Sequence, residues 1–248
     1  MKLLYIALLL SFTSPGWAEE EVNMRAWRNP DRLERWQRIS QNMSLHNMYV
    51  LVLEMYRLER KPWPEPYKQI LLKMAHRYDK KIKAVQAGEP VIIPEIAEGD
   101  CGEINAQLYE LISWQNDPRF IPFQIDYFGG IATRGLANIG EPAFEPVIEA
   151  LKNDKSYAIV TLRYMMEDEN GFLRNDPAKQ AQVRKLLMSA TRGKRYKNHA
   201  MRALRYFPHP ETTAFLEGVI NMGRPMARGF DAHSVQLARE SLNHLLTN

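Results

Sequence analysis

The chain has 248 residues, 45% of them hydrophobic and 25% charged, the balance of a globular protein that can bury a sizeable core. Its 33 basic and 29 acidic residues leave a mild net charge of +4. A single cysteine, Cys101, excludes an internal disulfide framework.

Lys2, the apolar run Leu3 to Phe12 and the small residues of Gly16-Trp17-Ala18 form a secretory signal pattern, with cleavage expected after Ala18. The apolar run is shorter than the roughly 20 residues that a spanning helix needs, and no later stretch supplies one. Export to the periplasm or outside the cell is therefore the expectation. Cys101 reads as a free or part-buried thiol in a loop. Its functional alternative is a disulfide to a second chain, giving a dimer.

Residues 19–88 read as a three-helix segment. Asn29-Pro30-Asp31 is a helix start, followed by the stripe Leu33, Trp36, Ile39 and Met43. A second helix over 44–60 carries Met48, Tyr49, Val52, Met55 and Tyr56 on one side. The prolines of Lys61-Pro62-Trp63-Pro64-Glu65-Pro66 break it. A third helix runs from about Pro66 to Gly88 with Tyr67, Ile70, Leu71, Met74 and Tyr78 at helical spacing. Residues 89–103, punctuated by Pro90, Pro94, Gly99 and Gly102, read as a linker.

Residues 104–248 carry two interleaved phases. Prolines follow capping residues at Asp117-Pro118, Glu141-Pro142, Asp176-Pro177 and His209-Pro210, each before a helical apolar pattern. Leu162-Arg163-Tyr164 returns as Leu204-Arg205-Tyr206, with looser echoes at Leu136-Ala137-Asn138 and Leu242-Asn243-His244. The proline marks the first helix of a pair and the leucine lies in the second. The pairs expected are 119–128 with 131–139, 143–151 with 155–166, 178–191 with 196–207, and 211–222 with 233–246, after an opening helix at 104–114. Strand patterns are absent, so the fold class is all-α.

The stretch from Gly135 through Leu136-Ala137-Asn138-Ile139-Gly140-Glu141-Pro142 to Leu151 resembles a HEAT-like repeat, and Asp117-Pro118-Arg119-Phe120-Ile121-Pro122 resembles another repeat opening. The resemblance implies an irregular α-solenoid, a protein-binding scaffold whose second helices line the concave face. Some relatives of that kind are lyases on pigment-carrying proteins, so the resemblance does not exclude an enzyme. Repeat lengths vary here, and Glu167 to Asp176 interrupts the pattern as an acidic insertion.

Two constellations point to a site. Lys179, Arg184, Lys185, Arg192, Lys194, Arg195, Lys197, Arg202 and Arg205 follow one another without an intervening acid, with Tyr196 and Tyr206 among them. Such a field attracts anions. The repeat phase also makes Arg163 equivalent to Arg205, and Arg134 to Arg202, so these arginines form a ladder on one face able to grip carboxylates or phosphates. The expected binding residues are Arg134, Arg163, Arg195, Lys197, Arg202, Arg205 and Tyr206. The alternative is that they cover core edges with their stems or pair with nearby glutamates.

No metal or cofactor is expected. The six histidines lack an i, i+4 pair, and Glu167-Asp168-Glu169-Asn170-Gly171 lacks the spacing of a calcium loop. Serine-nucleophile, Walker and dinucleotide fingerprints are missing. The expectation is a non-catalytic exported scaffold for an acidic protein or anionic envelope polymer, with nucleic acid disfavoured by export. The alternative is a hydrolase or lyase with a pocket between the N-terminal helices and the repeats, near Trp63 and Trp114.

Overall fold

A computed structural model describes residues 30–41, 45–58, 62–86, 98–126, 130–153, 155–168, 171–193, 196–221 and 230–247. All regular structure among them is helical. The signal pattern at 1–18, the Asn29 cap and Arg195 lie outside the described residues, as does the side chain of Cys101. No described helix is long and apolar enough to cross a membrane. The chain divides into two compact units between Leu111 and Ile112.

The first unit holds α1 (Pro30–Gln41), α2 (Leu45–Tyr56), α3 (Glu65–Gln86) and most of α4 (Glu98–Ser113). The expected stripes turn inward: Trp36 of α1, Met48, Val52 and Met55 of α2, and Tyr67, Ile70, Leu71 and Met74 of α3 are all buried. Trp36 and Tyr67 meet edge to face at 5.6 Å between ring centres. The indole N–H of Trp36 donates to Glu54 Oε2 at 2.6 Å, and the other oxygen of that carboxylate pairs with Arg35. Burying a tryptophan requires a partner for its N–H, and Glu54 on α2 supplies one. Burial also raises the Tyr67 phenol above its ordinary value, against a smaller opposing effect of Arg32.

Two boundaries differ from the sequence expectation. Helix α4 starts at Glu98, so residues 98–103 of the expected linker are helical. No proline follows Pro94 there, and Gly99 and Gly102 each weaken a helix by only about 1 kcal/mol, which the rest of α4 absorbs. The division of the chain falls inside α4, not in the proline-rich stretch before it.

The second unit contains α5 (Ile121–Asp126), α6 (Gly130–Ile139), α7 (Phe144–Lys152), α8 (Ser156–Glu167), α9 (Pro177–Ala190), α10 (Lys197–Leu204), α11 (Pro210–Asn221) and α12 (Ala232–Thr247). These are the four expected pairs. Within each pair the two helices pack together. The second helices also pack in succession, α6 on α8, α8 on α10 and α10 on α12, while α5 packs on α7 and α7 on α9.

Local chemistry places the helix starts. The Asp117 carboxylate accepts the Arg119 N–H at 3.0 Å ahead of a 3-10 turn, Pro118–Phe120, that leads into α5. Asp176 accepts from Lys179 N at 3.0 Å at the start of α9, where Pro177 is the first residue. His209 Nδ1 accepts from Glu211 N at 3.2 Å before α11. Glu141 is the exception: Gly140 occupies the cap position with φ +81°, a backbone that favours glycine, and no side chain caps this start.

Leu136, Leu162 and Leu204 are each 0% exposed. They share one apolar core with Phe144, Val147, Ile159, Leu187, Phe207, Leu216 and Leu237. The repeating leucine is therefore the buried edge of the second-helix layer. Leu242, its fourth echo, packs against the same core from α12.

Candidate functional site

The two positions after each repeating leucine come to the surface of that layer. The residues following Leu162 are Arg163 and Tyr164; those following Leu204 are Arg205 and Tyr206; His244 follows Leu242 by two. Arg163 and Arg205 are half-buried, as are both tyrosines. The side chains form a continuous row. The Arg134 guanidinium of α6 lies 5.2 Å from the Tyr164 ring centre, and Arg163 lies 4.5 Å from the same ring. Arg163 also reaches Tyr206, at 5.8 Å, and Arg205 lies over Tyr206 at 4.8 Å. Beyond it, the His244 ring of α12 stands 5.6 Å from Tyr206.

Cations over ring faces are attracted by the ring quadrupole, by about 0.5–1 kcal/mol at exposed sites. Here the attraction also fixes direction. Arg205 Nη2 donates to the Tyr206 hydroxyl at 2.6 Å. Arg163 pairs with Glu167 one turn along α8, with its Nε 3.4 Å from the carboxylate but not aligned to it as a hydrogen bond. Among the described residues no carboxylate lies within ion-pair distance of Arg134 or Arg205. The buried Nε of Arg205 has no hydrogen-bond acceptor among them.

Of the expected binding residues, Arg134, Arg163, Arg205 and Tyr206 stand in one row, and Arg202 does not. Arg134 and Arg163 correspond in what they do, because each reaches the tyrosine of the following pair. Arg202, on α10, is exposed and touches none of these rings. Tyr164, which the ladder of arginines did not include, is the ring shared by two of them. The signal for it was in the sequence, as the third residue of the repeated triplet.

The basic run from Lys179 to Arg205 is less free than it reads. Lys179 donates to Glu141 at 2.8 Å and to Asp176 at 2.9 Å, and stands 5.8 Å and 5.6 Å from the ring centres of Phe144 and Phe172. Those hydrogen bonds, that to Glu141 foremost, raise its ammonium above the ordinary range. Lys197 donates to Asp231 at 2.7 Å, tying α10 to the start of α12. Its charge is thus engaged within the fold. Arg184 is only 5% exposed, which makes it part of the α9 interior. Asp176 lies three residues before Lys179, but Glu141 and Asp231 come from distant parts of the chain, where no local count could find them.

At the α12 end of the row a cavity of about 310 Å³ opens. Arg174 and Arg205 give it two cationic groups, and Glu167 one acid. Met166, Pro208 and Leu245 form its apolar wall, and Tyr206 and His244 its aromatic one.

Trp63 is 3% exposed inside the first unit and presents no ring to a ligand, while Trp114 belongs to the second unit. Among the described residues no group of three or more His, Cys, Asp or Glu side chains could hold a metal ion. Asp231, next to His233, is engaged as a cap, accepting from Ser234 N and Ser234 Oγ, each at 2.7 Å. Comparison of the chain with protein-family models, with curated proteins and with solved structures finds no match to any of them.

Proposed function

We propose that residues 104–248 form a short, irregular HEAT-like α-solenoid that serves an exported, non-catalytic scaffold. Its partner is an acidic protein or an anionic envelope polymer, gripped along the second helices by the row of arginines and tyrosines. The observation that carries this reading is the alternation Arg134, Tyr164, Arg163, Tyr206, Arg205 across three successive helix pairs. Two of the three guanidinium groups have no carboxylate partner among the described residues. Rings that hold the guanidinium planes in place reduce the freedom lost when a carboxylate binds. The succession of contacts from α6 to α8, α10 and α12 supports the solenoid, as does the register of the triplet along it. The amino-terminal pattern at 1–18 supports export.

The test is binding of fluorescent poly-glutamate and of an anionic polysaccharide, read by anisotropy at low and high salt. The expected result is salt-sensitive binding to one of the two that falls at least tenfold in an Arg134→Gln/Arg163→Gln/Arg205→Gln variant and stays unchanged in Lys185→Gln/Arg239→Gln. Equal binding by all three proteins would refute the ladder. Cell fractionation of the full-length chain tests export, with the soluble cytoplasmic fraction as the outcome against it.

A further inference from the structure

We propose that the cavity beside Arg205 is a binding site for a carboxylate carried on a small apolar body. The wall chemistry argues for it in three steps. First, the cavity is about 310 Å³, at the lower end of the range for small-molecule sites. Second, its charges do not cancel. Glu167 is paired with Arg163, outside the set that lines the cavity, which leaves Arg174 and Arg205 uncompensated. Third, Arg205 is already held in place: one Nη is fixed on the Tyr206 hydroxyl, and no carboxylate among the described residues pairs with it.

A carboxylate supplies two acceptor oxygens matched to a guanidinium, and both Arg174 and Arg205 line the cavity. Met166 and Leu245 then cover the apolar body. A phosphate or sulfate would meet the arginines and leave that apolar wall unused. The site therefore selects a free acid with a hydrocarbon or aromatic group of about one amino-acid residue. A free small acid and the carboxyl-terminal residue of a polypeptide share this chemistry.

This site shares Arg205 and Tyr206 with the row but needs neither Arg134 nor Arg163, so the two proposals can fail separately. The experiment is a calorimetric and NMR titration of the whole chain with four probes: N-acetyl-phenylalanine, its amide, acetate, and a pentapeptide ending in phenylalanine with a free carboxylate. N-acetyl-phenylalanine is expected to bind saturably, its amide at least tenfold more weakly, and acetate not measurably. Arg205→Gln and the exposed Arg174→Gln should each weaken the acid at least fivefold, while Lys185→Gln, exposed on α9 and outside the cavity, leaves it unchanged. Thermal melts verify that the variants fold, and Arg174→Gln keeps the test alive if Arg205→Gln does not. The pentapeptide separates the sources: binding as tight as the acid assigns the site to a polypeptide terminus, and exclusion assigns it to a free small acid. Equal binding of acid and amide, or no effect of Arg174→Gln and Arg205→Gln, overturns the proposal.

Discussion

Arg163 on α8 lies 5.8 Å from the ring centre of Tyr206, a residue of the next helix pair, and so joins two pairs through one cation–ring contact. A double-mutant cycle of Arg163→Gln and Tyr206→Leu, read by urea denaturation, should give a coupling energy of about 0.5–1 kcal/mol. A value of zero would mean that the row is an accident of side-chain placement. The same cycle with Arg202→Gln in place of Arg163→Gln should show no coupling, since Arg202 touches no ring of the row.

The pair Lys197–Asp231 makes a prediction about acid. Lys197 foremost, then the Ser234 N–H and hydroxyl, hold the Asp231 carboxyl well below the usual carboxylate range. The folded state thus favours the charged form more than the unfolded state does. The stabilisation is full above the unfolded pKa, near about 4, and is lost as pH falls below it. Asp231→Asn should lower the urea midpoint at pH 6 and by a smaller margin at pH 3, where the unfolded carboxyl is largely protonated while the folded one is still charged. Asp176 is lowered in the same sense by the Lys179 N–H and ammonium, and Asp176→Asn should act alike. An Asp231→Asn penalty that is the same at both pH values would show that the ion pair is not its source.

Two glycines should respond in opposite directions to alanine. A Cβ on Gly135 would fall 2.6 Å from Gln124 Oε1 and 2.8 Å from the Ser113 backbone, closer than real contacts allow. Gly135→Ala should destabilise by about 1–3 kcal/mol, because the neighbouring backbone must shift. A Cβ on Gly218, inside α11, meets nothing within 4 Å, and Gly218→Ala should be neutral or gain up to about 1 kcal/mol. Thermal melts of the two variants give the comparison.

Core and surface positions of the second helices should also differ in their weight for stability. Leu162→Ala, in the core, should cost about 2–5 kcal/mol in chemical denaturation. Arg202→Ala, exposed on α10, should fall within roughly 0.5 kcal/mol of the parent. A severe loss at Arg202 would mean that its stem has a packing role.

Helix pairs were legible because two local signals agreed. The proline and its capping acid or histidine marked the starts, and apolar spacing marked the inward faces; both act within a few residues. The Leu-Arg-Tyr phase made Arg163 and Arg205 equivalent from spacing alone, while the ring contacts through Tyr164 and Tyr206 come from packing. Long-range ion pairs were not legible. Nothing near Lys197 in sequence announces Asp231, and nothing near Lys179 announces Glu141, since packing brings them together. The helical start at Glu98 was obscured for the opposite reason: two glycines close together read as a break, yet a long helix tolerates them. The cavity beside Arg205 draws its wall from α8, the turn after α10, α12 and the segment before α9, so no single stretch of sequence could outline it.

The triplet has a consequence for how the chain can change length. One residue removed early in α8 would rotate the remainder of that helix by about 100° around its axis. Leu162 would then leave the core, and Arg163 and Tyr164 would leave the row together. A substitution injures one of these functions at a time, whereas a frame slip inside the helix injures all three. Insertions and deletions should therefore be tolerated between helices and rejected within those that bear the triplet.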